Sequence, residues 1–275
     1  KDIEKALLNS AIRRKFKTDI KFVKDHLSYV TRLHLKEVLA KYDLNNGVTS
    51  IPQFKPDIHQ FDDDDEEFLH CVKDIKNRLS NMGTVVDSNE AMRCEYISAI
   101  LHASIRIVRR ITEKGLTITP QFEIVGEEST GRVDYAIKKI IDKVIEDIIC
   151  VTEGKQYQVS IGYAQNLMQC KSSYQTNERK RKADEAFGDS YYDYIYGIVS
   201  TGTDWHFILY STEGIFCTSE TEYHISLTKA VLDNDTDLRK GVKRVMEVIV
   251  GLLKDRVMID STPDVKRRRV EEIKK

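Results

Sequence analysis

Apolar residues recur at helical spacing through residues 1–42 (Ile3, Leu7, Leu8 and Ile12, then Ile20, Val23, Leu27, Val30, Leu33 and Val38), with charged residues between them. The pattern predicts two or three amphipathic helices. Asn45-Asn46-Gly47, Pro52 and Pro56 break it, and an acidic run from Asp62 to Glu67 follows. That run lacks the spaced ligands and turn glycine of a calcium-binding loop. It reads as the solvated first turn of a helix ending near Leu79, its carboxylates complementing the helix macrodipole. Asp87 and Glu90 form a capping box that predicts a further helix to about Ile111, with Ile97, Ile100, Leu101, Ile105 and Val108 on the core side.

Beyond that helix the pattern turns β-prone. Residues 116–125 and 131–137 read as strands joined by a Gly-Glu-Glu-Ser-Thr-Gly hairpin connection, and the apolar run 148–152 leads into Glu153-Gly154-Lys155. Residues 156–174 are predicted helical and 177–184 a polar, basic linker. Strands follow at 194–200 and 205–210, then an amphipathic helix at 238–253 and a charged tail beyond Pro263. The expected fold is α/β, a mixed central sheet through Phe122, Asp134, Val151, Ile198 and Phe207, flanked by helices, with a helical N-terminal portion. The expected divisions are a helical part (1–80), a main domain (81–258) and a basic tail (259–275).

Composition narrows the function. The chain has 275 residues, 41% hydrophobic and 32% charged, and a formal net charge of -1, so any nucleic-acid surface must be local. Five scattered cysteines without a CxxC pair, and seven histidines without HExxH, argue against a disulfide framework or a zinc site and fit a reducing compartment. No apolar run reaches bilayer length and residues 1–10 do not read as a signal peptide, so the expectation is a soluble chain without a membrane partner.

The chemistry is expected on two neighbouring strands. Side chains two apart in a strand share a face, so Glu153 and Lys155 project together. If the strand of Asp134 lies antiparallel beside them, roughly 4.8 Å away, a second carboxylate joins Glu153. Two such carboxylates repel unless a cation lies between them. Magnesium, or manganese in its place, is the natural choice, since it accepts one or two protein carboxylates and keeps room for water and phosphate. Lys155 would orient the attacking water or stabilise charge developing on the phosphate. The competing reading is ordinary surface charge on a sheet.

The order helix with an acid, strand with Asp134, strand with Thr152-Glu153-Gly154-Lys155, then helix with a glutamine resembles the PD-(D/E)XK nuclease superfamily over about residues 87–210, with Val133 where the name-giving proline would stand. The stretches Val133-Asp134-Tyr135-Ala136-Ile137 and Cys150-Val151-Thr152-Glu153-Gly154-Lys155 also look like the nuclease-like C-terminal domains of Crinkler-type effectors of fungi and oomycetes. The resemblance implies a restriction-endonuclease-like core. It makes Asp134 and Glu153 the metal ligands, Lys155 the catalytic lysine, Gln165 an orienting residue, and Glu95 (or Glu90) a helix-borne acid that joins the metal. The function so implied is magnesium-dependent hydrolysis of phosphodiesters, as an endonuclease on DNA in preference to RNA. The alternative is a catalytically silent module binding nucleic acid or a host protein, and a purely structural domain is the third reading. Homodimerisation stays open.

Arg179-Lys180-Arg181-Lys182 and Lys266-Arg267-Arg268-Arg269 read as nuclear import signals or as solvated linker and tail. With the effector resemblance they imply a host nucleus, and the cytoplasm otherwise. Tyr191, Tyr192, Tyr194, Tyr196, Trp205 and Tyr210 are a candidate base-stacking group, but for part of it, Tyr194 and Tyr196, the alternation in 194–199 argues for the core of a sheet covered on both sides. No Ser-His pair suggests a hydrolase triad, and residues 126–131 lack the lysine of a phosphate-cradling loop.

Overall fold

The computed structural model describes residues 37, 40, 50–85, 88–126, 130–141, 146–155, 159–184, 192–259 and 262–274. Apart from residues 37 and 40, the helices expected in residues 1–42 lie outside these, as does Asp87. The chain divides into two compact units, Lys1–Asn45 and Asn46–Lys275, and the sheet belongs wholly to the second.

Helices α1 (Glu66–Met82) and α2 (Glu90–Thr112) precede an antiparallel meander of β1 (Leu116–Val125), β2 (Thr130–Ile140) and β3 (Glu146–Gly154). Helix α3 (Val159–Asp184) then returns the chain to β4 (Tyr194–Ser200), which lies parallel to β3 because a helical crossover separates them. Antiparallel β5 (Asp204–Ser211) follows, and both β6 (Gly214–Cys217) and β7 (Tyr223–His224) pair with it. Helices α4 (Thr236–Met258) and α5 (Pro263–Ile273) close the unit. The expected α/β architecture is therefore present, as a mostly antiparallel seven-stranded sheet with one parallel pair.

Both faces of the sheet are covered. Ile148, Ile149, Cys150 and Val151 are all fully buried, the continuous apolar run of a strand sandwiched between helices. On one face the hydroxyls of Tyr194 and Tyr196 donate to Asp255 Oδ2 on α4 at 2.5 and 2.9 Å. On the other, buried Asn166 of α3 donates to the carbonyls of Val151 and Ile198, bridging β3 and β4. Tyr194 and Tyr196 are buried, as the alternation implied, and so are Tyr192, Trp205 and Tyr210, while Tyr191 lies outside the described residues.

The helix starts are built by side chains. Asp65 accepts from the amides of Glu67 and Phe68, so the acidic run does cap α1. The N-cap of α2 is Asn89, which accepts from Met92 N at 2.9 Å, and Glu90 stands just inside the helix.

Two polar stretches differ from expectation. The basic linker is the last two turns of α3: Asn177 exchanges two hydrogen bonds with Ile148, Lys180 donates to Glu146 O at 2.8 Å, and Arg179 to Val125 O. The basic tail is α5, begun by Pro263 and docked through buried Val270 and Ile273. Within it Lys266 is buried against Asp193, Arg267 pairs with Glu213, and Arg269 with Asp255 and Asp57. Among the described residues, no helix is long and apolar enough to cross a membrane.

Candidate functional site

The register that pairs Tyr135 with Thr152 sets Asp134 beside Glu153 and Gly154, at the C-terminal end of β3. In open α/β sheets ligands gather at such strand ends. Asp134 is held at both oxygens: Oδ2 accepts from Gly154 N at 2.7 Å and Oδ1 from Gln121 Nε2 at 2.9 Å. Glu153, only 5% exposed, has Oε1 2.6 Å from Lys155 Nζ, and its Oε2 accepts from Gln169 Nε2 at 2.6 Å. Glu90 Oε1 lies 3.9 Å from the same ammonium. Glu153 and Lys155 thus project together, and Asp134 joins them.

Glycines permit the crowding. A Cβ on Gly154 would stand 3.1 Å from Cys94 Sγ and 3.3 Å from Asp134 Oδ2, so a side chain there would make both neighbours shift where α2 packs on the end of β3. A Cβ on Gly162 would lie 2.9 Å from Lys155 Cγ, which lets α3 close over the lysine stem.

The electrostatics follow from burial. It pushes the Glu153 carboxyl up, further than Lys155 and Gln169 pull it down, and the Asp134 charge adds to the rise. Burial works against the charged form of Lys155, but Glu153, Glu90 and Asp134 outweigh it and hold the ammonium above its ordinary value. The Cys94 thiol is pushed up to about 12, first by burial and then by Asp134, Glu90 and Glu153.

Two residues expected by resemblance stand elsewhere. The Glu95 side chain is 58% exposed, with Oε2 3.7 Å from Arg78 Nε, and Glu90 is the α2 acid beside Lys155. Gln165 is exposed, and Gln169 one turn further on holds Glu153. Positions four apart share a helix face, and that periodicity was the available signal for Gln169. Gln121 has a φ of 49°, in the left-handed region uncommon for residues other than glycine, and it follows Pro120 within β1. Proline inside a strand pattern marks an edge or irregularity, and that was its signal. Gln169→Ala is expected to weaken divalent-metal binding measured by calorimetry, whereas Gln165→Ala leaves it unchanged. Equal effects of the two substitutions would contradict the assignment of Gln169.

Among the described residues, no group of three His, Cys, Asp or Glu side chains gathers to hold a metal. Asp134 and Glu153 supply two carboxylates, the number magnesium accepts while keeping water and phosphate in its shell. The donor set fits that ion: it is all oxygen, and it contains a buried carboxylate whose charge its neighbours do not fully compensate.

Over 209 residues, 76% of its length, the chain is 30% identical to Crinkler effector protein 1 of Rhizophagus irregularis (strain DAOM 181602 / DAOM 197198 / MUCL 43194). The chain has a Crinkler relative. It spans 42% of that Crinkler effector's length, so the similarity concerns part of the larger protein. No family model matches the chain.

Proposed function

We propose that this Crinkler-like chain is a divalent-metal-dependent nuclease module that hydrolyses phosphodiesters, with DNA as the preferred substrate. The reading is carried by the convergence of Asp134, Glu153 and Lys155 on adjacent strands, with Glu153 buried between Lys155 and Gln169. Asp134 and Glu153 would hold magnesium or manganese, which when bound supplies Lewis acidity and neutralises phosphate charge. The chain's own groups do the rest. Lys155 carries a fixed positive charge at the end of β3, placed to orient a water and to stabilise charge developing on the attacked phosphate. Gln169 keeps the Glu153 carboxylate from turning, and Gln121 with the Gly154 amide does the same for Asp134. The two basic clusters are not enlisted as import signals, because Arg179, Lys180, Lys266, Arg267 and Arg269 are engaged within the fold.

One observation favours a second reading, a silent nuclease-like module that binds nucleic acid or a host protein: both Glu153 oxygens are already engaged by protein donors. Calorimetry with magnesium and manganese separates the two. The nuclease reading expects binding by the wild type, lost in Asp134→Asn. Binding should also tighten as the pH rises, because a Glu153 carboxyl held above the ordinary glutamate value of about 4.3 must lose its proton to bind metal. Retained DNA binding without metal binding would favour the silent module, and binding of neither would point to a structural domain.

A further inference from the structure

A cavity away from the carboxylate site, sharing no residue with it, is framed by the segment following Ile51, by β7, by α4 and by the end of α5. Its volume is about 520 Å³, within the range of small-molecule sites. Three cations line it, Lys55, Arg244 and Lys274, and no carboxylate does. Lys274 shares its charge with Glu271 at 2.5 Å, whereas Lys55 and Arg244 have no ion pair among the described residues.

The cationic wall is braced from behind. The Arg244 guanidinium lies 5.1 Å over the ring of buried Tyr223, which in turn packs edge-on against Phe207. Such stacking fixes the plane of the guanidinium while leaving its N–H groups free to donate. Lys55 is carried on backbone tied at both sides, with Phe54 N donating to Cys217 O at 3.0 Å and Lys55 N to Ile273 O at 3.5 Å. Thr221 and Gln53 add polar groups, and Phe54, Pro56 and half-exposed Ile58 add an apolar surface.

Two uncommitted cations, a third partly committed, and an apolar wall describe a receptor for a compact anion attached to an organic body. We propose that this cavity binds a small organic phosphate monoester, its dianion held by Arg244, Lys55 and Lys274 and its body resting against Ile58 and Pro56. Planar guanidinium and phosphate oxygens match in a bidentate fork, and the dianion of a monoester answers more than one of the three cations. The proposal is independent of the nuclease reading.

The test is titration calorimetry of the full chain with AMP and with ribose 5-phosphate, against adenosine and inorganic phosphate, in EDTA so that the carboxylate site holds no metal. Both esters are expected to bind, more weakly as salt is raised, and adenosine is not. Arg244→Ala is expected to weaken ester binding about tenfold, as for loss of a charge-assisted hydrogen bond, and Arg244→Ala with Lys55→Ala further still, with the thermal midpoint unchanged. Lys155→Ala should bind the esters as the wild type does. The proposal is overturned if neither ester binds, if the double variant binds them undiminished, or if inorganic phosphate alone binds as tightly as the esters.

Discussion

Asp193→Ala is expected to destabilise the protein by about 3–5 kcal/mol, the usual cost of removing one partner from a buried ion cluster. The Asp193 side chain is fully buried, with Oδ1 2.9 Å from Arg256 Nη2 and Oδ2 3.0 Å from Lys266 Nζ, and both cations are only 3% exposed. Arg256 also lies 4.4 Å over the Tyr194 ring. Without the carboxylate, two buried cations repel one another in a medium of low dielectric. Burial alone would push the Asp193 carboxyl up, but Arg256 and Lys266 outweigh it and hold the group below its ordinary value. The sign follows. A carboxyl depressed in the folded state gives stability that is present above its unfolded value, about 3.9, and is lost as the pH falls through its folded value. Urea titrations should therefore show the wild type losing stability in that acid range and Asp193→Asn, already weakened at neutral pH, losing less there. A neutral-pH cost below about 1 kcal/mol, the level of an exposed pair, would contradict a buried cluster.

Gly251→Ala is expected to cost about 3 kcal/mol, at the upper end of the usual range for overpacking, although alanine in a helix interior ordinarily gains about 1 kcal/mol over glycine. The sign reverses because the segment from Asp57 to His59 crosses α4 at this residue. A Cβ there would fall 1.9 Å from the Asp57 carbonyl oxygen and 3.3 Å from His59 N. Those are backbone atoms, and His59 N is tied to Glu247 O at 3.1 Å, so the strand of chain has nowhere to move. Gly131→Ala is the control, since nothing lies within 4 Å of a Cβ there. A thermal midpoint raised by Gly251→Ala would show that the segment does not pack on α4.

What the sequence disclosed and what it hid divide along physical lines. Five of the seven strands and the pairing of Glu153 with Lys155 were legible because alternation with a period of two fixes which side chains share a face, whereas the short β6 and β7 were not read as strands. Buried Tyr194 and Tyr196 were legible through the same alternation. Hidden were features that depend on where distant elements dock. Gln165 and Gln169 occupy the same face of α3, and only the position of that helix along β3 selects the second. Asn89 accepts from the amide of Met92 at the start of α2, and Glu90 beside it faces Lys155, a placement set by how α2 docks against the end of β3. Lys266 reads as solvent-exposed in any local window, because lysine is rarely buried unless paired. Its partner Asp193 arrives from the start of β4, far earlier in the chain.

The nuclease reading is tested most directly by incubating wild type and Lys155→Ala with plasmid, linear duplex, single-stranded DNA and RNA, each in magnesium, manganese and EDTA. Cleavage by the wild type alone, strongest on DNA and abolished by EDTA, is the expected result. Cleavage by Lys155→Ala at the wild-type rate, or by neither protein on any substrate, would contradict it.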